Sequence, residues 1–86
     1  MTPPDGMKLP RDVSGRELAA AMARLGYVVS HQTGSHLRLT TQLDGEHHLT
    51  IPAHDHLKLG TLNAIMRDGE THHHIPRPQL LQMLFA

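Results

Sequence analysis

The chain has 86 residues, enough for one small domain but not for a second core. It contains no cysteine, which excludes disulfides and thiolate metal sites, and its formal charge is zero with neutral histidines, which excludes a global positive field for nucleic acid. Tyr27 and Phe85 are its only aromatic residues besides histidine, so aliphatic and methionine side chains must form the core.

The composition of the first residues predicts where the domain begins, and the hydropathy of the chain predicts its location in the cell. Residues 1–6 include three Pro or Gly residues and predict a flexible arm, followed by a single domain over residues 7–86. No apolar run approaches the roughly 20 residues that cross a bilayer, and the start lacks the basic-then-apolar layout of a signal peptide. We therefore expect a cytoplasmic protein that does not contact a membrane.

The first predicted element is a helix. The pattern Ser14-Gly15-Arg16-Glu17 predicts a capping box, in which the first side chain accepts from the fourth amide and the fourth side chain reaches back. Apolar residues follow at helical spacing, and Gly26 supplies a left-handed end.

Two strands joined by a hairpin come next. Residues 27–32 are rich in β-branched side chains, and Gly34 is predicted to take the positive φ of a tight turn. In the second strand, alternation places His36, Arg38 and Thr40 on one face and the intervening leucines on the other. The strand thus displays an imidazole beside a guanidinium; the alternative is an ordinary half-buried strand with a polar outer face.

A third strand is predicted over residues 47–52, after an Asp-Gly turn. Alternation adds His48 and Thr50 to the face that carries His36. Pro52 ends the pairing because it has no amide to donate.

Two helices complete the chain. Residues 58–73 keep a helical apolar spacing, which Gly69 weakens by about 1 kcal/mol relative to alanine. The helix is predicted to end with His74 in a left-handed position, and the prolines in residues 75–78 suit the first turn of a third, short helix. The predicted fold is α+β: helix, three-stranded antiparallel sheet, helix and short C-terminal helix, with the helices on one face of the sheet.

Five segments of the chain stand out together: Ser-Gly-Arg-Glu-Leu (14–18), Leu-Gly-Tyr (25–27), Gly-Ser-His (34–36), Ile-Pro-Ala-His (51–54) and Lys-Leu-Gly-Thr-Leu (58–62). In this order they resemble the HicA family of mRNA interferase toxins, over roughly residues 7–85. The resemblance implies a fold like a double-stranded-RNA-binding domain, mRNA cleavage without a metal or other cofactor, and silencing by a HicB-type antitoxin. It also places the family's catalytic histidine at His36. The family is usually basic, whereas this chain is neutral.

Cleavage of RNA without a metal needs few protein groups, because the 2′-hydroxyl is the nucleophile. A base must take its proton, an acid must protonate the leaving 5′-oxygen, and cations must hold the phosphate. His36 can be the base or the acid near neutral pH. His54 is the leading candidate for the second group, although it can equally be a loop residue that caps a turn. His31, predicted to lie across the hairpin from His36, is another candidate.

Four basic residues are predicted to bind RNA. Arg38 and Lys58 would hold phosphates, Lys58 with help from the positive end of the second helix. Lys8 and Arg16 would extend this track along the first helix. The alternative for each of them is an ordinary solvated charge.

Two further interpretations come from the histidines and from the fold. Residues 47–48, 54–56 and 72–74 place imidazoles close together, but adjacent strand residues face opposite sides, so we predict no metal site. The same fold can also serve as a non-catalytic module that binds RNA or a protein. Duplex binding without cleavage would favour that module.

Overall fold

The computed structural model of the protein describes residues 9–10 and 12–85. The elements follow the predicted order, and the α+β class is confirmed: α1 (Gly15–Met22), β1 (Val28–Gln32), β2 (His36–Thr41), β3 (His47–Pro52), α2 (Leu59–His73) and α3 (Arg77–Phe85). A 3-10 turn, Ala23–Leu25, continues α1 as far as Gly26, which takes the predicted left-handed conformation. The predicted arm at residues 1–6 and the predicted RNA-binding residue Lys8 lie outside the described residues.

The sheet is an antiparallel meander in the order β1-β2-β3, so β2 is the central strand. Its odd-numbered residues, 37, 39 and 41, are buried, and its even-numbered residues face outward, as the alternation predicts. Three cross-strand pairs occupy the outer face: His36 with Pro52, Arg38 with Thr50, and Thr40 with His48. We call this surface the open face.

The helices cover the opposite face of the sheet and enclose an aliphatic core. Leu39 and Ile51 of the sheet are fully buried against Leu18 of α1, Met66 of α2 and Leu80 of α3. Within the described residues, no helix is both long enough and apolar enough to span a membrane.

The predicted capping box fixes the start of α1. The Ser14 hydroxyl accepts from the Glu17 amide at 3.0 Å, and the Glu17 carboxylate accepts from the Ser14 amide at 2.9 Å. These two hydrogen bonds lower the pKa of Glu17, because they stabilise the ionised carboxylate. The box therefore sets the residue at which the helix begins.

A buried polar network joins the start of β1, the start of β3 and the end of α2. The Tyr27 hydroxyl lies 2.7 Å from His47 Nδ1 and 3.1 Å from His73 Nε2. The fully buried His73 side chain contacts Asp44 Oδ2 at 3.1 Å. Burial, with the charge of Asp68, raises the pKa of Tyr27 to about 12, so its hydroxyl stays protonated. These histidines therefore have a structural role: they connect β1, β3, α2 and the turn between β2 and β3.

His72 adds to the same structural role. Its ring stacks on that of His47 with centroids 4.2 Å apart. Its Nε2 donates to the carbonyl oxygens of Leu43 and Gly45, at 3.1 and 3.0 Å. The turn between β2 and β3 is thereby tied to the end of α2.

The end of α2 adopts the predicted left-handed geometry. His74 has φ 56° and ψ 43°, and its amide donates to the carbonyl of Glu70. A side chain in this conformation crowds the following carbonyl, which glycine avoids. The exposed His74 therefore stores a small amount of backbone strain.

Replacing His74 with glycine should raise the melting temperature by a few degrees. Relief of the strain is worth about 1 kcal/mol, of which the larger unfolded ensemble of glycine takes back part. Each kcal/mol shifts the midpoint of a domain this small by roughly 4–8 °C. Calorimetry would measure the shift, with His74→Asn expected to lie between the two. A clear fall on changing to glycine would contradict the strain argument.

Candidate active site

A hairpin loop of three residues, 33–35, presents His36 at the start of β2. The Thr33 amide donates to the His36 carbonyl at 2.9 Å and closes the loop. The Thr33 hydroxyl accepts from the amides of Ser35 and His36, at 3.3 and 3.0 Å. These bonds fix the backbone that carries the imidazole.

The predicted positive φ at Gly34 is wrong. The left-handed glycines of the described chain are Gly26 and Gly45. The Thr33 side chain closes the loop by bonding two following amides, so no left-handed residue is needed. A Cβ built on Gly34 would meet no described atom within 4 Å, so this glycine has no steric requirement either.

The His36 imidazole is exposed and is held from one side. Its Nδ1 lies 2.9 Å from the Ser35 hydroxyl. A hydroxyl can accept from Nδ1–H whether or not Nε2 carries a proton. This contact orients the ring in both protonation states and leaves Nε2 available to another molecule.

Three backbone hydrogen bonds gather the surrounding segments at this end of the molecule. The Ala53 amide donates to the Ser35 carbonyl at 2.9 Å, which attaches the loop after β3 to the hairpin. The Gly15 amide, at the start of α1, donates to the His54 carbonyl at 2.9 Å. The Leu57 amide donates to the Val13 carbonyl at 2.8 Å. The hairpin, the loop over residues 53–58 and the first turns of α1 and α2 therefore meet.

The structure brings His54 near His36 through the backbone. His54 follows Pro52, the cross-strand partner of His36, by two residues, and its side chain is exposed. Its carbonyl accepts from the Gly15 amide, so the His54 backbone has a structural role at the start of α1. The imidazole is left to project into solvent.

The predicted RNA-binding residues Lys58, Arg38 and Arg16 lie at three positions around this end of the molecule. Lys58 is exposed at the N-cap of α2. Arg38 is exposed on the open face, two residues beyond His36, or about 7 Å at the rise of a β-strand. Arg16 lies in the first turn of α1 and lines a groove against β1 that extends to Gln32 beside the hairpin.

His31 lies on the facing strand of the hairpin, as expected, but its direct cross-strand partner is Arg38 and not His36. The register of β1 shifts between Val29 and His31, and His31 pairs with Arg38. The extra residue is Ser30, whose hydroxyl lies 2.8 Å from Thr40 Oγ1. A bulge of this kind moves every later residue of the strand by one position.

The sequence does not predict a groove that lies between β3 and α2. It encloses about 440 Å³, and both His36 and His48 line it. On α2 its lining residues are Thr61, Ala64, Ile65 and Asp68, which share one stripe at helical spacing. The spacing could have suggested the stripe, but the sequence does not show which strand it faces.

The chemistry available here is that of an exposed imidazole beside solvated cations. His36 can accept or donate a proton at Nε2, and Arg38 and Lys58 can balance developing negative charge. Within residues 9–10 and 12–85, His, Asp and Glu side chains form no group of three that could hold a metal ion.

Comparison with known proteins identifies the family. The model of the HicA toxin of bacterial toxin-antitoxin systems matches residues 15–70, about two thirds of the chain. No curated protein and no solved structure matches the chain. The matched residues include α1, the hairpin with His36, the loop with His54 and most of α2. The chain belongs to the HicA family of toxins of bacterial toxin-antitoxin systems.

Proposed function

We propose that this toxin is an endoribonuclease that cleaves mRNA without a metal, by general acid–base catalysis through His36. The observation that carries the proposal is the exposed His36 ring, oriented by Ser35, at the end where the loop and two helix starts meet. Family membership supports it, because a HicA toxin has in general an RNA target.

In the proposed reaction, His36 acts at the 2′-hydroxyl of the nucleotide before the scissile phosphate. Nε2 takes the hydroxyl proton while the 2′-oxygen attacks phosphorus, and the bond to the 5′-oxygen of the next nucleotide breaks. The products are a 2′,3′-cyclic phosphate and a free 5′-hydroxyl. Ser35 acts as a positioning residue: its hydroxyl lies 2.9 Å from Nδ1 and can accept from Nδ1–H in both protonation states of the ring.

A second group must protonate the leaving 5′-oxygen, and we assign this role to His54. Its place is supported by the bond between Ala53 and Ser35, which keeps the loop beside the His36 hairpin. Lys58 at the start of α2 is placed to balance the phosphate charge, with help from the helix dipole. Arg38 and Arg16 would contact the flanking backbone of the RNA.

Cleavage should persist in excess EDTA, because the proton transfers are assigned to imidazoles and not to a metal-bound water. A purified chain incubated with labelled single-stranded RNA would test this, with cyclic-phosphate ends detected by mass spectrometry. The control is the same reaction after EDTA is saturated with zinc or manganese. Activity lost in EDTA and restored by either metal would contradict the assignment.

The antitoxin is proposed to be a HicB-type protein that covers the open face around His36 and Arg38. This face carries no helix, and its exposed Arg38 suits an acidic partner. Covering the catalytic group is also the simplest way to silence a toxin.

Diethyl pyrocarbonate labelling should show protection of His36 when the antitoxin is bound. His74 is exposed at the opposite end of α2 and serves as the internal control, which should stay labelled in both states. Mass spectrometry would locate the label on each peptide. Equal labelling of His36 with and without antitoxin would contradict the proposed mode of silencing.

A further inference from the structure

The groove between β3 and α2 extends from His36 to a second region, which is lined by another histidine and a carboxylate. His36 and Pro52 line one end, and His48 and Asp68 line the other. His48 precedes Pro52 by four residues on β3, a distance of about 13 Å at the rise of a β-strand. His48 is therefore too far away to share one phosphate with His36, and the distant end of the groove must contact a flanking part of any bound chain.

Two hydrogen bonds fix the His48 ring, so a ligand can contact only the face of the ring. Its Nδ1 lies 2.9 Å from Thr40 Oγ1, and its Nε2 lies 2.9 Å from Glu46 Oε2. Both nitrogens are occupied, yet the residue is exposed. An oriented aromatic ring of this kind is a platform on which a nucleobase can stack, and histidine is among the side chains that proteins use for it.

Asp68 determines which part of a nucleotide suits this end. Its side chain is 55% exposed, and its carboxylate oxygen Oδ1 lies 3.4 Å from His47 Nε2. A carboxylate repels a phosphate, so the sugar-phosphate backbone is disfavoured beside it. It accepts hydrogen bonds from the exocyclic amino group of a base. Thr61, Ala64 and Ile65 complete a wall of hydroxyl and apolar groups, which suits a flat base.

We propose that this groove binds a nucleobase of single-stranded RNA that flanks the scissile phosphate. His48 stacks on the base, and Asp68 accepts from its exocyclic amino group, so cytosine, adenine or guanine is preferred over uracil. The inference rests on the proposed function, because it takes RNA as the ligand. It adds a determinant of sequence preference that lies outside the catalytic residues.

The test compares RNAs that differ at one base near the cleavage position. For the wild type we expect cleavage to be at least about fivefold more efficient, as kcat/KM, when the bound base carries an amino group than when it is uracil. Asp68→Asn should reduce that ratio toward one, since an amide can donate to the uracil carbonyl. His48→Ala should weaken cleavage of all substrates similarly, since stacking tolerates any base.

Two controls separate base recognition from other effects. Asp12→Asn removes one exposed negative charge outside the groove, at a left-handed residue where Asn is well tolerated, and should leave the ratio unchanged. Melting temperatures of all the variants show whether loss of the His47 contact alters the fold. A reduced ratio in a folded Asp68→Asn protein supports the proposal.

The same preference can be measured without cleavage. Binding of 2′-O-methyl oligonucleotides, which lack the nucleophile, reports the ratio of Kd values for cytosine and uracil. An unchanged ratio in Asp68→Asn overturns the inference, whether or not the wild type cuts RNA. Loss of antitoxin binding in that variant with an unchanged base ratio also overturns it, because the groove would then bind a protein. Failure of the wild type to cut any RNA with the Kd ratio intact would count against the catalytic proposal alone.

Discussion

Replacing Gly15 with alanine should lower the melting temperature by about 10 °C, the largest stability effect that we expect from one methyl group. A Cβ on this residue would lie 1.9 Å from the Pro52 carbonyl oxygen, 2.9 Å from its carbon and 3.2 Å from Ala53 Cα. These are backbone atoms, so no side chain can rotate away to make room. The first turn of α1 must separate from the end of β3.

That separation also breaks contacts that position the site. The Gly15 amide donates to the His54 carbonyl, and the neighbouring Ala53 amide donates to the Ser35 carbonyl. Overpacking typically costs about 1–3 kcal/mol, and the lost hydrogen bond adds to this. A domain of this size has a total stability of only about 4–13 kcal/mol at the usual value per residue. Cleavage activity should therefore fall along with stability.

Gly60→Ala is the matched control. It adds the same methyl group to a helix, but apart from neighbouring residues and the backbone of the same helix, no described atom lies within 4 Å of the new Cβ. Alanine has a helix propensity about 1 kcal/mol better than glycine, so this variant should melt at the same temperature or higher. Calorimetry on the two variants would test the argument. A Gly15→Ala protein as stable as the wild type would show that α1 does not press on β3 as described.

Much of the fold could be predicted because its determinants are local in sequence. The capping box at Ser14 and the left-handed residue at His74 depend on a few adjacent residues. The same holds for the Asp-Gly turn, where Asp44 and Gly45 both have positive φ. The exposed and buried sides of β2 follow from alternation alone.

Predictions that needed a contact between distant segments were less successful. The sequence indicates Gly15 only as part of a cap, because its proximity to Pro52 arises from packing between residues far apart in the chain. The partner of His31 is not predictable from the sequence, because no local signal reveals the bulge at Ser30 that moves His31 from Leu37 to Arg38. The sequence predicts a left-handed conformation for Gly34, which the hydrogen bonds to the Thr33 hydroxyl make unnecessary.

The histidines outside the proposed catalytic pair show the same contrast between local signals and contacts between distant segments. His47 shares the alternation of the buried residues of β3, and His73 continues the buried stripe of α2, so the sequence carries a signal for the half-buried His47 and the buried His73. Their common partner, the Tyr27 hydroxyl, had none, because three separate elements meet there. The groove that His48 lines was missed for the same reason.

His36→Ala should reduce RNA cleavage by at least about a hundredfold, the lower end of what a general acid or base contributes. The fold should be unaffected, because the side chain is exposed and contacts the hydroxyl of Ser35 rather than the core. His54→Ala should reduce cleavage less, because water can replace the acid at the leaving oxygen more readily than it can replace the oriented base.

The control for loss of an imidazole is His74→Gly. His74 lies at the C-terminal end of α2, a helix of 15 residues that is about 22 Å long and starts beside the site. Removing it should leave cleavage unchanged. A loss of activity in both variants would indicate a general effect of histidine charge and not a catalytic role.

The most direct test of the account is the rate of cleavage of one labelled single-stranded RNA by the wild type and by His36→Ala, measured side by side in excess EDTA. Equal melting temperatures would establish that both proteins are folded. We predict product with a 2′,3′-cyclic phosphate from the wild type and at least about a hundredfold less from the variant. Equal rates for the two proteins would contradict the central role of His36.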